Sequence, residues 1–305
     1  MKIKNKTLNY VKIKLMTNEL KKKLISLADR YEVASFCNED PSQFLHWYEP
    51  EKGRGTVADV EAASFIAAML AFGSRKQFIP KIRQILETSD RSLGRITEWL
   101  KAGAYKKDFP HGDAKFYRFY SYDDMQVFFG ELADILKKYG SLGEYTKNTV
   151  VECDKGVVNP VVECDKVAYR NHRSTRNCGF DTASTEAYST TGSLADLLSF
   201  AFPHSAIVPK GRSSANKRIH MFLRWMVRRN SPVDLGLWTW ADPASLLIPL
   251  DVHVMQEAVK LGLIPQTAAA SRKTAERLTA ALAEVFPGDP CRGDFALFGL
   301  GVDVV

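Results

Sequence analysis

The chain has 305 residues, of which 45% are hydrophobic and 25% charged, with a formal charge of +7 and a pI near 9.0. Such a chain can bury a large core in one large or two modest domains, and its composition excludes a disordered or fibrous protein. The basic excess favours a polyanionic partner such as nucleic acid, and no apolar run reaches the roughly 18 residues that crossing a membrane requires.

In chain order, the opening "MKIKNKTLNYVKIKLMTNELKKKLI" holds eight Lys and one Glu. It lacks the apolar stretch and small-residue cleavage site of a signal peptide. Residues 1–20 read as a basic extension, either solvated or touching phosphates, with Met16 as a second candidate start. The five cysteines are Cys37, Cys153, Cys164, Cys178 and Cys291. An odd count without a secretory signal implies reduced thiols in the cytoplasm.

Residues 21–145 read as helical. "DVEAASFIAAMLAFG" (59–73) is apolar almost throughout, which predicts a deeply buried helix stopped near Gly73. In "RKQFIPKIRQILET" (75–88), Phe78, Ile82 and Ile85 share one face, and Pro80 falls near the first turn, where proline is tolerated. "SYDDMQVFFGELADILKKYG" (121–140) is amphipathic and ends in Lys-Lys-Gly, a helix terminus. Residues 146–192 are Ser/Thr/Asn-rich, poor in Leu, and repeat "VVECDK" at 150–155 and 161–166. They read as an insertion. Cys153, Cys164, His172 and Cys178 offer metal-binding atoms there, but no C-x2-C pair is present and no metal is expected.

Residues 193–305 are helical again. "SLADLLSFAFP" is a short apolar helix closed by Pro203. "ANKRIHMFLRWMVRR" (215–229) puts Ile219, Phe222, Trp225 and Met226 on one face and four arginines elsewhere. A helix from Asp251 buries Val252, Met255 and Val259 and closes at Gly262. "SRKTAERLTAALAEVF" (271–286) is amphipathic. Strand alternation is scarce, so the fold is expected to be all-α.

Two residues draw chemical attention. Asp251 in "IPLDVHV" stands where an aspartate caps a helix, and capping alone accounts for it. A carboxylate there can also stabilise a sugar cation or help activate an amine or water. Lys217 opens an amphipathic helix, where a surface lysine is ordinary. A deprotonated amine at the same place is a nucleophile, and a helix N-terminus, Arg218 and partial burial favour the uncharged form. Before it, "PKGRSSANKR" offers Lys210 and Arg212 as phosphate-binding charges and Ser213, Ser214 and Asn216 as caps whose amides suit a phosphate. The loop is equally an ordinary capped one. Trp225, Trp238 and Trp240 are candidates for stacking a base or for the core.

The stretches "EAASFIAAMLAFG", "KFYRFYSYDD", "KRIHMFLRWMVRR", "VDLGLW", "IPLDVHV" and "DFALFGLG" resemble, in this order, a bacterial family of uncharacterised proteins, the domain of unknown function 2400 family. "IPLDVHV" with its helix also resembles the Asp-containing segment of the helix-hairpin-helix DNA glycosylases. In motif layout the chain is most similar to archaeal 8-oxoguanine glycosylases, which carry a catalytic Lys at the start of the helix preceding the Asp segment. The resemblance implies a two-lobed helical fold with a cleft between the lobes, acting as a monomer on duplex DNA with a flipped base. It implies Asp251 and Lys217 as catalytic residues, Lys210, Arg212, Ser213, Ser214, Asn216 and Arg218 as DNA contacts, and His253 as support behind Asp251. The implied activity is base excision, with or without strand cleavage, in the cytoplasm at the nucleoid. Only Cys291 follows Asp251, so an iron–sulfur cluster is not expected, nor any other cofactor. The turn "FGSRKQ" departs from the Gln- and Ser-rich turn typical of these enzymes. Their Gly-rich hairpin before the Asp is also missing from "RNSPVDLGLWTWADPASLL". That loss favours an alternative, a non-catalytic nucleic-acid-binding protein on the same scaffold.

Overall fold

The computed structural model describes residues 16–154 and 190–302. Within them the chain is mostly helical, in agreement with the all-α expectation. The helices are α1 (Asn18–Tyr31), α2 (Val57–Leu70), α3 (Arg75–Leu93), α4 (Ile96–Lys101), α5 (Tyr105–Asp108), α6 (Tyr122–Tyr139), α7 (Leu142–Asp154), α8 (Thr190–Phe200), α9 (Lys217–Val227), α10 (Val252–Lys260), α11 (Arg272–Ala283) and α12 (Gly293–Val302). Short 3₁₀ turns link several of them. One antiparallel pair, β1 (Lys115–Tyr117) and β2 (Tyr120–Ser121), interrupts the helices.

The helix starts follow local rules. Thr56 and Asp59 form a reciprocal capping box on α2, and Ser121 and Asp124 form one on α6. Asp59 does more than cap, because its other oxygen accepts from the Thr97 amide at 3.0 Å and ties α4 to α2. α2 is buried nearly all round, as its unbroken apolar sequence predicts. The segment read as an insertion begins inside α7: Thr146 and Thr149 are buried within it. Residues 155–189 lie outside the described residues, as do the side chains proposed for the Cys/His metal site. Residues 1–15 of the basic extension also lie outside, whereas α1 begins at Asn18.

Among the described residues two large hydrophobic cores form, beside a small cluster of Cys37, Val233 and Phe295. The larger gathers α2, α3, α4, α6, α7, α8 and α9 around Phe65, which packs against Phe128, Phe202 and Phe222. The smaller gathers α1, α10, α11 and α12, with Leu24, Ala28, Val254, Leu278 and Leu297 at its centre. α1 therefore packs with the C-terminal helices, against α12 above all.

Between them runs a buried charge network. Arg228 contacts Asp234, Glu32 and Asp289, and Arg224 contacts Asp234 and Asp294. Arg292 completes it through Glu32 and Asp29. Buried charges persist only when paired in this way. Arg224 of α9 and Arg228 just after it thus hold the end of α1, the loop after α9 and α12 in one arrangement.

Candidate active site

α9 begins in an unusual way. Asn216 takes a left-handed backbone conformation (φ 40°) and its side-chain amide donates to the Gly211 carbonyl at 3.0 Å. Asparagine tolerates that conformation better than most residues. The loop before it is fixed to α11: the Arg272 amide donates to the Ser213 carbonyl at 2.9 Å, and Ser214 bridges to Ser271. Lys217 is consequently delivered as the first residue of α9, at a defined place.

α10 begins at Asp251, whose Oδ1 accepts from the Val254 amide at 2.8 Å. This is an N-cap bond. The free oxygen, Oδ2, lies 2.9 Å from the Lys217 Nζ. The cap and the ion pair use different oxygens of one carboxylate, so both are made at once. Burial pushes the Asp251 carboxyl up, but the Lys217 ammonium, the Val254 N–H and His253 outweigh it, and the net shift is downward. At neutral pH Asp251 is a carboxylate.

This pair borders a cavity of about 800 Å³. Its wall draws on both cores: Ala71, Phe72, Phe78 and Met221 from the larger, Ala215, Leu250 and Val254 from the smaller. Phe36, Phe295 and Phe298 add aromatic surface, and Phe36 packs edge-on against both of the others. Arg75 stacks over Phe298 at 5.0 Å and pairs with Asp40 at 3.3 Å, and both line the same space. A largely apolar pocket with a few convergent polar groups is the usual form of a small-ligand site.

Asp294 lines the cavity as well, although it is bonded to Arg224 and almost fully buried. Burial raises its carboxyl to about 6 and the Asp251 charge adds to the rise, while Arg224 opposes it. The site therefore holds two carboxyl groups displaced in opposite directions by their surroundings. Such divergence is common where proton transfer occurs.

The residues singled out in the sequence fall into two groups. Lys217, Asp251, Arg218, Asn216, Ser214 and His253 all border the cavity. Arg218 is engaged there by the end of α2, donating to the Met69 carbonyl and lying 5.1 Å over Phe72. His253 is exposed at the rim, next to Asp251. Lys210, Arg212 and Ser213 are on the outer surface of the loop. Lys210 donates to the Ser199 carbonyl at 2.9 Å and to that of Phe202, at the end of α8. Arg212 lies 5.7 Å over the Phe200 ring. Trp225 and Trp238 belong to the core, and Trp240 stacks on Trp238 rather than lining the cavity.

Sequence reasoning did not single out Asp294, Asp40, Arg75 or the phenylalanines. Asp294 and Phe298 stand four residues apart in "DFALFGLG", one helical turn, which is the signal that placed them on one face. Among the described residues no group of His, Cys, Asp and Glu is arranged to hold a metal ion. No described helix is long and apolar enough to cross a membrane.

The family described as "Protein of unknown function (DUF2400)" matches residues 40–303, a range containing every residue of the cavity wall except Phe36. The chain belongs to this family. No curated protein and no solved structure matches it. The DUF2400 match begins after α1, so Asp29 and Glu32, which hold Arg228 and Arg292, come from outside the matched range.

Proposed function

We propose that the cavity is the site of a DNA base-excision glycosylase, acting as a monomer on duplex DNA in the cytoplasm, with the two cores as lobes either side of a cleft. One observation carries this reading: a lysine and an aspartate from separate helix starts meet at 2.9 Å on the wall of an aromatic cavity. The volume of about 800 Å³ accommodates a nucleobase with its sugar.

In this reading Lys217, an ammonium in the resting pair, first gives one proton to water, and the uncharged amine then attacks the sugar C1′. The C1′–N bond breaks, and the base departs with the bonding electrons and takes up a proton. The Asp251 carboxylate, kept ionised by its neighbours, stabilises the positive charge that develops on the sugar. Loss of the second lysine proton and ring opening leave a Schiff base between Nζ and C1′. Phe36, Phe72 and Phe298 supply faces for the extruded base, with Phe295 packed behind Phe36, and Arg75 and Asp40 supply its polar contacts.

The test is borohydride trapping across duplexes carrying damaged bases or abasic sites. The wild type gives a covalent protein–DNA band on a substrate it cleaves, Lys217→Gln gives none and Asp251→Asn a weak one. Base release without trapping means that Asp251 activates water instead. Failure on every substrate favours the second reading, a nucleic-acid-binding protein without catalysis. One observation supports that alternative: apart from the Pro243–Ser245 turn, the stretch 230–250 forms no helix, and so no phosphate-binding hairpin precedes Asp251.

A further inference from the structure

We propose that Phe119, at the tip of the β1–β2 hairpin, enters the base stack of DNA and fills the space left by the nucleotide drawn into the cavity. The inference rests on the glycosylase reading and adds to it the residue that holds the duplex open.

The observation behind it is where apolar surface is left uncovered. Among the described residues, the two most exposed large hydrophobic side chains are Val252, at 63% and not buried as its helical spacing predicts, and Phe119, at 60%. Both lie by the cavity of Lys217 and Asp251. Val252 lines it beside Asp251, and Phe119 packs against Phe72, another residue of its wall. Exposed apolar groups scattered singly need no explanation. Two that lie by one site are contact points for whatever occupies it.

The hairpin is built to hold Phe119 out. Phe116, Tyr117 and Tyr120 are all buried, leaving the turn pair Arg118–Phe119 in solvent. Arg118 adopts φ 51°, the left-handed conformation that a two-residue hairpin turn needs and that a residue other than glycine adopts at a cost. The Tyr117 hydroxyl donates to the Phe72 carbonyl and anchors the strand to the end of α2. Gly73 has φ 83°, and a Cβ there would displace the Arg118 guanidinium and touch the Tyr117 hydroxyl at 3.0 Å, so the hairpin sits close on this turn. The Phe119 ring is braced edge-on by Tyr120 at 4.5 Å and by the tilted Phe72 ring at 5.3 Å. It is thus solvent-exposed and already oriented, and little further freedom is lost when it inserts.

Charge identifies the partner. Arg118 lies 5.6 Å over Phe72 on the outer side, Arg218 lies 5.1 Å over the same ring, and Arg75 follows on the cavity wall. Phe119 thus rests on Phe72, a ring that two guanidinium groups cover, and apolar surface beside such charge matches a stack of bases between phosphates and does not match an apolar protein groove. A ring stacked between bases also offsets the cost of unpairing the extruded nucleotide.

The test uses the full chain and a duplex with an abasic-site analogue, with 2-aminopurine beside it as a reporter of unstacking. Binding of the wild type should raise the reporter's fluorescence. Phe119→Ala should bind roughly ten-fold more weakly or worse, without the rise in fluorescence, while Phe119→Trp restores both. Circular dichroism melts should match for the variants, since the side chain is exposed. If Phe119→Ala binds and unstacks like the wild type, Phe119 is not the wedge, although the DNA reading stands. Duplex binding by the wild type with no rise in fluorescence overturns the wedge in the same way. If the wild type binds no duplex, the DNA reading fails and this inference with it.

Discussion

Replacing Asp251 by asparagine separates the structural use of this residue from its chemical use. The cap bond to the Val254 amide, 2.8 Å from Oδ1, survives, because the asparagine side-chain oxygen accepts in the same place. Asparagine and aspartate are near equals at an N-cap. What is lost is the 2.9 Å ion pair with Lys217, whose two side chains are 35% and 22% exposed. A pair that wet contributes up to about 1 kcal/mol, so Asp251→Asn should cost no more than about 1 kcal/mol at pH 7, or about 2–4 °C in Tm. The sign with pH follows from the lowered Asp251 carboxyl. Its contribution is full above the carboxyl's unfolded value, near 4, and disappears as pH falls through the lower folded value. Melting curves of wild type and variant should therefore differ at pH 7 and converge in acid. Base release, by contrast, should fall by about 100- to 1,000-fold, the usual effect of removing one preorganised electrostatic contact. A stability loss above about 3 kcal/mol, of the size seen when a buried charge loses its partner, would make Asp251 architectural. Unchanged base release would remove the carboxylate from the chemistry.

The other predictions concern the charges around it. Arg228→Met takes the arginine from Asp289 and leaves the buried Asp234 and Glu32 with one arginine each. It should cost about 3–5 kcal/mol in urea unfolding, and a loss below about 1 kcal/mol would show the network to be dispensable. Asp294, raised to about 6, holds a proton in the folded chain that the unfolded chain has already released. The wild type should lose stability relative to Asp294→Asn as pH rises from about 4 to about 6, and parallel curves would refute this. Affinity for duplex DNA should fall steeply with salt as cations around residues 209–229 displace counterions. A flat salt series would mean that phosphates are not the partner.

What the sequence made legible was local. Asp251 and Lys217 could be found because each sits at a helix start, where residue type and neighbours speak directly. Their meeting was an inference from resemblance, since nothing in the residues between them encodes a distance. Asp294, Phe36 and Arg75 reach the cavity from remote segments, which only packing brings together. The β1–β2 hairpin stayed hidden because its turn is Arg118–Phe119, without the glycine or asparagine that marks such turns. That Lys210 engages the carbonyls at the end of α8 was not legible either, because a basic side chain in a loop carries no sign of such partners. The tryptophans followed their usual preference for buried area.

The partnership of α1 with the C-terminal helices governs the order in which the protein can mature on the ribosome. Leu24 and Ala28 leave the exit tunnel first, yet their core is completed by Ala296 and Leu297. Glu32 must likewise wait for Arg292 and for Arg228, which is itself complete only with Asp289. At about 5–20 residues per second, that wait is roughly 13–50 s. The larger core can settle during this time, whereas α1 remains an unpaired amphipathic helix and the cavity lacks its Asp294 wall. A truncated or stalled chain thus carries Lys217 and Asp251 but not the surroundings that enclose them. Whatever this site does is withheld until Asp294 and Leu297 have been made.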